Sequence, residues 1–201
     1  MTQVPHRVTD VPNYRCCAPP QQPSPLKVQD GRRHRRCSYK FRLVRRVIVV
    51  GPGAAGKSTL AVRLGDITGL PVIELDKRFW QPGLAATPRD QWAAIQHELA
   101  SQESWILDGD LGPYDVLDVR LEAADTVVFL DFSPLRCAWR AVRRSRERAD
   151  FWVWLLSYRL RSRPPLLRAI AAHAGDADIH VLRNPRQVRQ FLASVAPGMR
   201  K

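Results

Sequence analysis

One nine-residue segment of this chain has the residue types and the spacing that hold a nucleotide phosphate. Residues 51–59 read Gly-Pro-Gly-Ala-Ala-Gly-Lys-Ser-Thr, a complete G-x-x-x-x-G-K-[ST] pattern. Glycines let such a loop turn its backbone N–H groups inward around an anion, and the helix that follows points its positive end at the same phosphates. Lys57 is predicted to reach the β- and γ-phosphates of ATP, and Ser58 to bind Mg²⁺. The residues predicted to hold the nucleotide are Gly51, Gly53, Ala54, Ala55, Gly56, Lys57, Ser58 and Thr59.

Three aspartates, Asp76, Asp108 and Asp131, stand where predicted strands end. Ligands of open parallel α/β sheets bind beyond the carboxyl ends of the strands. Asp108 ends an apolar strand that is expected to lie beside the phosphate-loop strand. It is therefore predicted to be a catalytic residue that binds Mg²⁺ or the substrate. Asp110 competes for that role as the other acid of the same turn. Asp131 either has a similar role or simply helps to start the helix that follows it.

Asp76 is followed by two cations and two aromatic residues. A carboxylate can take the proton of an acceptor hydroxyl, and a ring can shape the pocket around it. Asp76 is therefore predicted to contact an unidentified small phosphoryl acceptor. The pattern leaves open whether Phe79 and Trp80 belong to the core or to the pocket wall.

An arginine-rich stretch falls where a lid would cover the phosphates, at residues 140–165. Arginine suits a transferring phosphoryl group because its planar, always charged fork binds two oxygens. Arg143 and Arg161 are the predicted catalytic members of this stretch. Between the arginines, residues 151–156 are apolar nearly all round, which favours a buried segment or a subunit contact. The segment is too short to cross a bilayer.

The elements that must position these residues alternate along the chain. Strands are predicted at 46–50, 71–76, 104–108, 126–131 and 178–182, with helices between them, which indicates a parallel α/β sheet with right-handed crossovers. Helices are expected to begin at the Thr-Pro, Ser-Pro and Asn-Pro pairs at 87–88, 133–134 and 184–185. The second contains Leu135, Trp139 and Val142. In the first, the core stripe is predicted to be Trp92, Ile95 and Leu99.

Charge divides the 201-residue chain into two parts. Of the net charge of +13, residues 1–46 carry +9 and residues 47–201 carry +4. The predicted organisation is a disordered, basic, proline-rich extension at 1–45 and a phosphate-loop domain at 46–197. The extension could touch nucleic acid, but a solvated tail is the favoured interpretation.

No leader pattern and no long apolar stretch is seen, so a cytoplasmic protein without a membrane segment is expected. Nothing in the sequence predicts the oligomeric state.

The order of motifs between residues 46 and 195 resembles the adenylate-kinase-like P-loop ATPases called DNA topology modulation proteins. The resemblance implies the nucleoside monophosphate kinase fold, ATP with Mg²⁺, Asp108 at the acid of the Asp-Gly motif, and Arg183 in a turn near the adenine. The chain has Asp110 where the family usually has asparagine, and it lacks a loop before residue 151, so its lid is expected to be short. The matching segments are residues 51–59, 75–83, 87–89, 105–110, 120–131 and 161–164.

Together these patterns predict a three-layer P-loop kinase fold, with about five parallel strands, helices on both faces and a short arginine-rich lid. The predicted activity is transfer of the ATP γ-phosphoryl group to a nucleotide or a small hydroxyl metabolite. The alternative is an ATP-binding regulator with little turnover that acts through a protein or nucleic acid partner.

Overall fold

The computed structural model describes residues 44–144 and 149–196. The predicted extension falls almost entirely outside the described residues, as does part of the predicted lid. The strands are β1 Arg46–Val50, β2 Val72–Glu74, β3 Trp80–Gln81, β4 Ala85–Ala86, β5 Trp105–Asp108, β6 Thr126–Leu130 and β7 Asp178–Leu182. The α-helices are α1 Lys57–Thr68, α2 Leu75–Phe79, α3 Arg89–Ser101, α4 Leu117–Ala123, α5 Pro134–Arg144, α6 Ala149–Arg161, α7 Arg163–His173 and α8 Pro185–Val195.

Five of these strands form the central sheet, in the order β2-β5-β1-β6-β7 with all neighbours parallel. The phosphate-loop strand β1 is the middle strand, and β5 lies beside it with Asp108 in register with Val49. The predicted five-stranded parallel sheet is therefore confirmed. Strands β3 and β4 form a separate antiparallel pair that the sequence patterns did not predict.

Helices cover both faces of the sheet, because alternate residues of each buried strand point to opposite sides. Val47 and Val49 of β1 pack with α1, α5, α6 and α8, whereas Ile48 and Val50 pack with α2, α3, α4 and α7. The result is the three-layer arrangement that the alternation of strands and helices predicts. Among the described residues, none of the helices has the length and the apolar character to span a membrane.

The segment predicted as a strand over residues 71–76 is shorter than expected. Strand β2 ends at Glu74, and Asp76 lies in the first turn of α2. Residues 75–79 form a helical turn whose inner face carries the two buried side chains, Leu75 and Phe79. The expectation that Asp76 closes a strand is thus wrong, although the residue stays at the same edge of the sheet.

Two helix starts differ from each other in how well the sequence predicted them. Asn184 caps α8 as expected, since its side chain accepts a 3.0 Å hydrogen bond from the backbone N–H of Gln187. Thr87 does not cap α3, because its hydroxyl donates to the carbonyl of Phe79 and Pro88 occupies the cap position instead. Thr87 therefore ties the end of α2 to the start of α3.

Helix α5 turns its larger apolar residues outward. Leu135, Trp139 and Val142 are 81%, 59% and 67% exposed, whereas the small residues Cys137 and Ala141 are fully buried. Small side chains on the inner face let the helix approach the layer of α1, α6 and α8 closely. The proline-started helix is present, but its buried side is not its most hydrophobic one.

Candidate functional site

The phosphate loop joins β1 to α1 and its backbone is folded tightly. Gly51, Ala54 and Gly56 have positive φ values of 143°, 55° and 96°. A Cβ atom on Gly51 would lie 2.6 Å from the carbonyl oxygen of Leu130, so a larger residue would collide with the backbone of β6. The left-handed backbone conformation of Ala54 is uncommon for a residue other than glycine. It is typical of loops whose backbone N–H groups point toward an anion.

Lys57 is the first residue of α1 and lies across the mouth of this loop. Its ammonium group donates hydrogen bonds to the carbonyl oxygens of Gly51 (2.9 Å) and Pro52 (3.2 Å). Burial raises the pKa of the Asp76, Asp108 and Asp110 carboxyl groups, and the positive charge of Lys57 opposes that rise in all three. Lys57 therefore stands where the loop and the acidic residues meet.

Asp108 ends β5 next to the phosphate loop and is 4% exposed. Burial raises the pKa of its carboxyl group, and a hydrogen bond from Ser58 together with the charge of Lys57 opposes that rise. The Oδ1 atom is buried without a hydrogen-bond partner. A buried carboxylate oxygen beside a serine hydroxyl is a pair of hard oxygen ligands, which is the kind of donor set that Mg²⁺ takes.

Asp110 and Asp76 are two further acids on which the charge of Lys57 acts. The backbone N–H of Gly112 donates a 3.0 Å hydrogen bond to Asp110 Oδ1, whereas Oδ2 is buried without a partner. Desolvation raises the pKa of Asp110 and also that of Asp76, whose side chain is exposed at the rim. The described residues hold no group of three or more His, Cys, Asp or Glu arranged as a metal centre. A Mg²⁺ ion held by one or two side chains and by nucleotide phosphates needs no such group.

A buried ion pair that the sequence analysis missed supports the turn that carries Asp108 and Asp110. Arg120 of α4 is fully buried, pairs with Asp115 and donates a 3.2 Å hydrogen bond to the carbonyl of Gly109. Gln96 of α3 donates a 2.8 Å hydrogen bond to the same Asp115 carboxylate. The acidic turn is thus fixed from behind by two helices. No local sequence pattern marks this pair as buried, because the contact from Gln96 comes from a separate helix.

Helix α6 of the predicted lid covers the phosphate loop with aromatic side chains. A Cβ atom on Gly53 would lie 2.5 Å from the ring of Trp154 and 2.7 Å from that of Phe151. Leu155 is buried in the core, whereas Val153 and Leu156 are more than 60% exposed. The apolar 151–156 segment is therefore partly buried and partly exposed.

The structure separates the lid arginines by what they touch. Arg140 donates a 2.9 Å hydrogen bond to the carbonyl of Ala55, and its guanidinium group borders Gly56. Arg143, predicted as catalytic, is exposed and lies 4.2 Å from the centre of the Trp139 ring. Arg161, the other predicted catalytic arginine, is exposed at the end of α6. Sequence reasoning could have favoured Arg140, because Cys137 and Ala141 beside it identify the inner face of α5.

Asp131 has two arginine partners that neither of its two interpretations predicted. Arg163 donates two hydrogen bonds of 2.9 Å, one to each oxygen of the Asp131 carboxylate. The guanidinium group of Arg183 lies 3.8 Å from the same carboxylate. Asp131 therefore joins β6 to the start of α7 and to the turn after β7.

An open cleft of about 490 Å³ lies at the opposite edge of the sheet, at the amino ends of β1 and β6. Its lining includes Arg45, Glu103 and Asp125, and these charges already have partners. Arg45 pairs with Glu103, and the Asp125 carboxylate accepts hydrogen bonds from the backbone N–H groups of Arg45 and Arg46. These contacts close this end of the sheet, and the phosphate loop lies at the other end.

Comparison with known proteins identifies the fold. No family model matches this chain, and no curated protein does so. A shikimate kinase from Acinetobacter baumannii, solved in complex with shikimate, is 18% identical, with 79% of this chain and 96% of that chain covered and a TM-score of 0.55. A sugar kinase from Janibacter sp. HTCC2649 is 23% identical, with 77% and 97% covered and a TM-score of 0.50. The chain has the P-loop kinase fold.

Proposed function

We propose that this protein is a kinase that uses ATP and Mg²⁺ to phosphorylate a small hydroxyl compound. One observation carries the proposal: the Lys57 ammonium group bonds to the phosphate-loop carbonyls, and Asp108 ends the strand paired with the loop strand, in register with Val49. Phosphoryl transfer needs a loop that binds the phosphates, an acid that holds a cation and an acid that takes a proton. The phosphate loop and the aspartates beside it meet these needs. The similarity to two kinases supports the fold for this activity.

The phosphate loop and its lysine hold and orient the nucleotide in this proposal. Backbone N–H groups of residues 51–59 and the positive end of α1 bind the phosphates, and Lys57 leaves the loop carbonyls to contact the β- and γ-phosphates. Ser58 and Asp108 hold Mg²⁺, and the partnerless Oδ1 of Asp108 supports that role. When bound, the ion neutralises charge on the phosphate oxygens. Arg183, beside the turn after β7, contacts the adenine side.

Asp76 receives the proton of the acceptor hydroxyl. As the hydroxyl oxygen bonds to the γ-phosphorus, the bond from that phosphorus to the β–γ bridging oxygen breaks and ADP leaves. Desolvation raises the pKa of Asp76, which makes its carboxylate a better proton acceptor. The exposed position of Asp76 at the rim supports access by a substrate from solvent.

The lid supplies positive charge and excludes water. Arg140 already contacts the loop and is proposed to stabilise the transferred phosphoryl group, a role for which the sequence alone favoured Arg143 and Arg161. Phe151 and Trp154 cover Gly53 and shield the phosphates. The sequence motifs between residues 46 and 195 occur in the same order as in DNA topology modulation proteins, which supports ATP and Mg²⁺ as ligands. We propose that this protein belongs to that group.

A regulator that binds ATP without turnover is the second candidate, because α5 exposes the large apolar residues Leu135, Trp139 and Val142, which a partner could cover.

The full-length chain should be assayed for ADP formation with ATP and Mg²⁺ in the presence of hydroxyl compounds and nucleosides. ADP formation that one acceptor stimulates, and that Lys57→Ala abolishes, supports the kinase. ATP binding without turnover on any acceptor supports the regulator.

A further inference from the structure

The outer surfaces of helices α5 and α6 are apolar. Of the nine large hydrophobic side chains that are exposed in the described parts of the chain, six lie on these two helices. They form one row along each helix, because their spacings of three and four residues match the helical repeat. We call these rows the outer stripes, and they consist of Leu135, Trp139 and Val142 on α5 and of Val153, Leu156 and Leu160 on α6.

The two outer stripes face away from the same layer of the fold. Cys137 of α5 and Leu155 of α6 are fully buried and belong to one core cluster. The stripe residues lie on the opposite side of each helix from these buried residues. Because α5 and α6 also pack against each other, the outer stripes lie side by side on one surface. An exposed apolar surface of this size marks a contact with another molecule.

The charge around the outer stripes has a single sign. Every charged side chain that the structure describes on α5 and α6 is an arginine. Arg136 and Arg143 on α5, and Arg159 and Arg161 on α6, are exposed beside the stripes. Residues 134–161 contain eight arginines and two acids. The apolar surface therefore lies in a strongly positive region.

This charge disfavours several occupants of the surface. A second copy docked through the same face would bring arginines against arginines, and the basic extension at 1–45 would be repelled as well. Nucleic acid attracts arginine, but its phosphate backbone offers no apolar partner to leucine and valine side chains. The occupant that fits must therefore be both anionic and apolar.

The surface of an anionic phospholipid bilayer combines these two properties. Acidic headgroups attract arginine, and the hydrocarbon just beneath them accepts leucine, valine and indole side chains. Tryptophan favours this boundary, because its ring is apolar and its N–H is polar. We infer that the outer stripes dock the protein on an anionic bilayer surface, with Trp139 at the boundary between headgroups and hydrocarbon. Such docking is independent of the proposed kinase function.

Flotation of the full-length chain with lipid vesicles is the first test. One set of vesicles is phosphatidylcholine alone, and the other is phosphatidylcholine and phosphatidylglycerol in a two-to-one ratio. We expect binding to the anionic vesicles to be at least about tenfold tighter than to the neutral ones. Raising the salt concentration to about 1 M should weaken it. Equal binding to the two sets, or binding to neither, overturns the inference.

The basic extension is also attracted to anionic vesicles, so the outer stripes are tested by substitutions that leave it unchanged. Val142→Asp and Leu160→Asp each place a negative charge in one stripe. Val62→Asp is the matched control, because Val62 is a half-exposed valine on α1, outside the stripes. Each stripe variant should bind anionic vesicles at least about tenfold more weakly, and the control should change less than about twofold. Unchanged binding in both folded stripe variants assigns the attraction to the extension and overturns the inference.

Two further measurements separate insertion from other contacts. Phospholipids with brominated chains should quench the tryptophan fluorescence of the bound protein, and Trp139→Phe should remove most of that quenching. Equal quenching in Trp139→Phe contradicts the insertion of Trp139. Sedimentation of the protein without vesicles should give the same association state as Val142→Asp. A dimer that Val142→Asp dissociates overturns the inference, since a second copy then covers the outer stripes.

Discussion

Arg140 of α5 donates a hydrogen bond of 2.9 Å to the carbonyl oxygen of Ala55, in the middle of the phosphate loop. This contact joins residues 85 positions apart and makes the loop and the arginine helix one unit. Arg143 lies three residues further along the same helix but stacks over Trp139. The two arginines therefore allow a matched comparison.

We expect Arg140→Ala to lower kcat/KM for ATP by about a hundredfold, since it removes a charge-assisted contact at the phosphates. Arg143→Ala should change it less than about threefold. Steady-state kinetics of both variants, with unfolding curves to show that each is folded, provide the measurement. A larger loss in Arg143→Ala would return the catalytic role to the arginine that the sequence favoured.

Arg163→Lys should lower the stability of the protein. Lysine cannot reproduce the two parallel hydrogen bonds to Asp131, so that carboxylate, 7% exposed, loses its bidentate partner. Because Arg163 is about a third exposed, we expect a modest loss of about 1 kcal/mol in the free energy of unfolding. Chemical denaturation measures it, with the exposed Arg161→Lys as control. Equal stability of the two variants would show that the bidentate pair contributes nothing.

Asp108→Asn should stabilise the protein at neutral pH in the absence of nucleotide and metal. The pKa of Asp108 is raised above 3.8, so between that value and the folded pKa the folded state binds more protons than the unfolded state. Stability therefore falls as pH rises through this window, and the loss is complete above it. Asparagine has no charge to desolvate, and the expected gain is about 1 kcal/mol.

The gain of Asp108→Asn should shrink as pH falls from the raised folded pKa toward 3.8, and it should be absent at lower pH, where the carboxyl is protonated in both states. Thermal unfolding at pH 7 and at pH 4 measures the difference, with exposed Asp118→Asn as control. In the same variant the stimulation of ATP binding by Mg²⁺ should be lost. A destabilised Asp108→Asn protein at pH 7 would contradict the desolvation argument.

Gly51→Ala should destabilise the fold much more than Gly175→Ala. Both glycines have positive φ, but a Cβ at Gly51 meets the Leu130 carbonyl at 2.6 Å, whereas a Cβ at Gly175 meets nothing within 4 Å. The shared left-handed strain costs about 1 kcal/mol, and the backbone collision should add about 2 kcal/mol at Gly51. Denaturation of both variants separates the two effects. Similar losses would mean that the loop can move away from β6.

The sequence predicted the central sheet well for a physical reason. Buried parallel strands need continuous β-branched and aliphatic runs, and the segments at residues 46–50 and 126–130 have that composition. The phosphate loop was equally readable, because its glycines, Lys57 and Ser58 are adjacent in sequence. These features depend on local residue types alone.

Other parts of the site were not readable because they depend on how separate elements pack. Arg120 and Asp115 are only five residues apart, but their burial and the hydrogen bond from Gln96 of α3 to the same carboxylate follow from the packing of α3 against α4. The outward turn of Trp139 depends on which helices α5 packs against. The position of Tyr158 near Asp110 likewise follows from the way α6 crosses the sheet, which no local pattern specifies.

The most direct test of the proposed nucleotide site is the affinity for ATP with Mg²⁺, measured by calorimetry on the full-length chain and on Lys57→Ala. Lys77→Ala is the matched control, since Lys77 is the exposed partner of Glu74. We expect Lys57→Ala to lose about a hundredfold or more in affinity and Lys77→Ala to keep the affinity of the unaltered protein. Equal ATP affinity in Lys57→Ala and the unaltered protein would contradict the claim that residues 51–59 hold a nucleotide triphosphate.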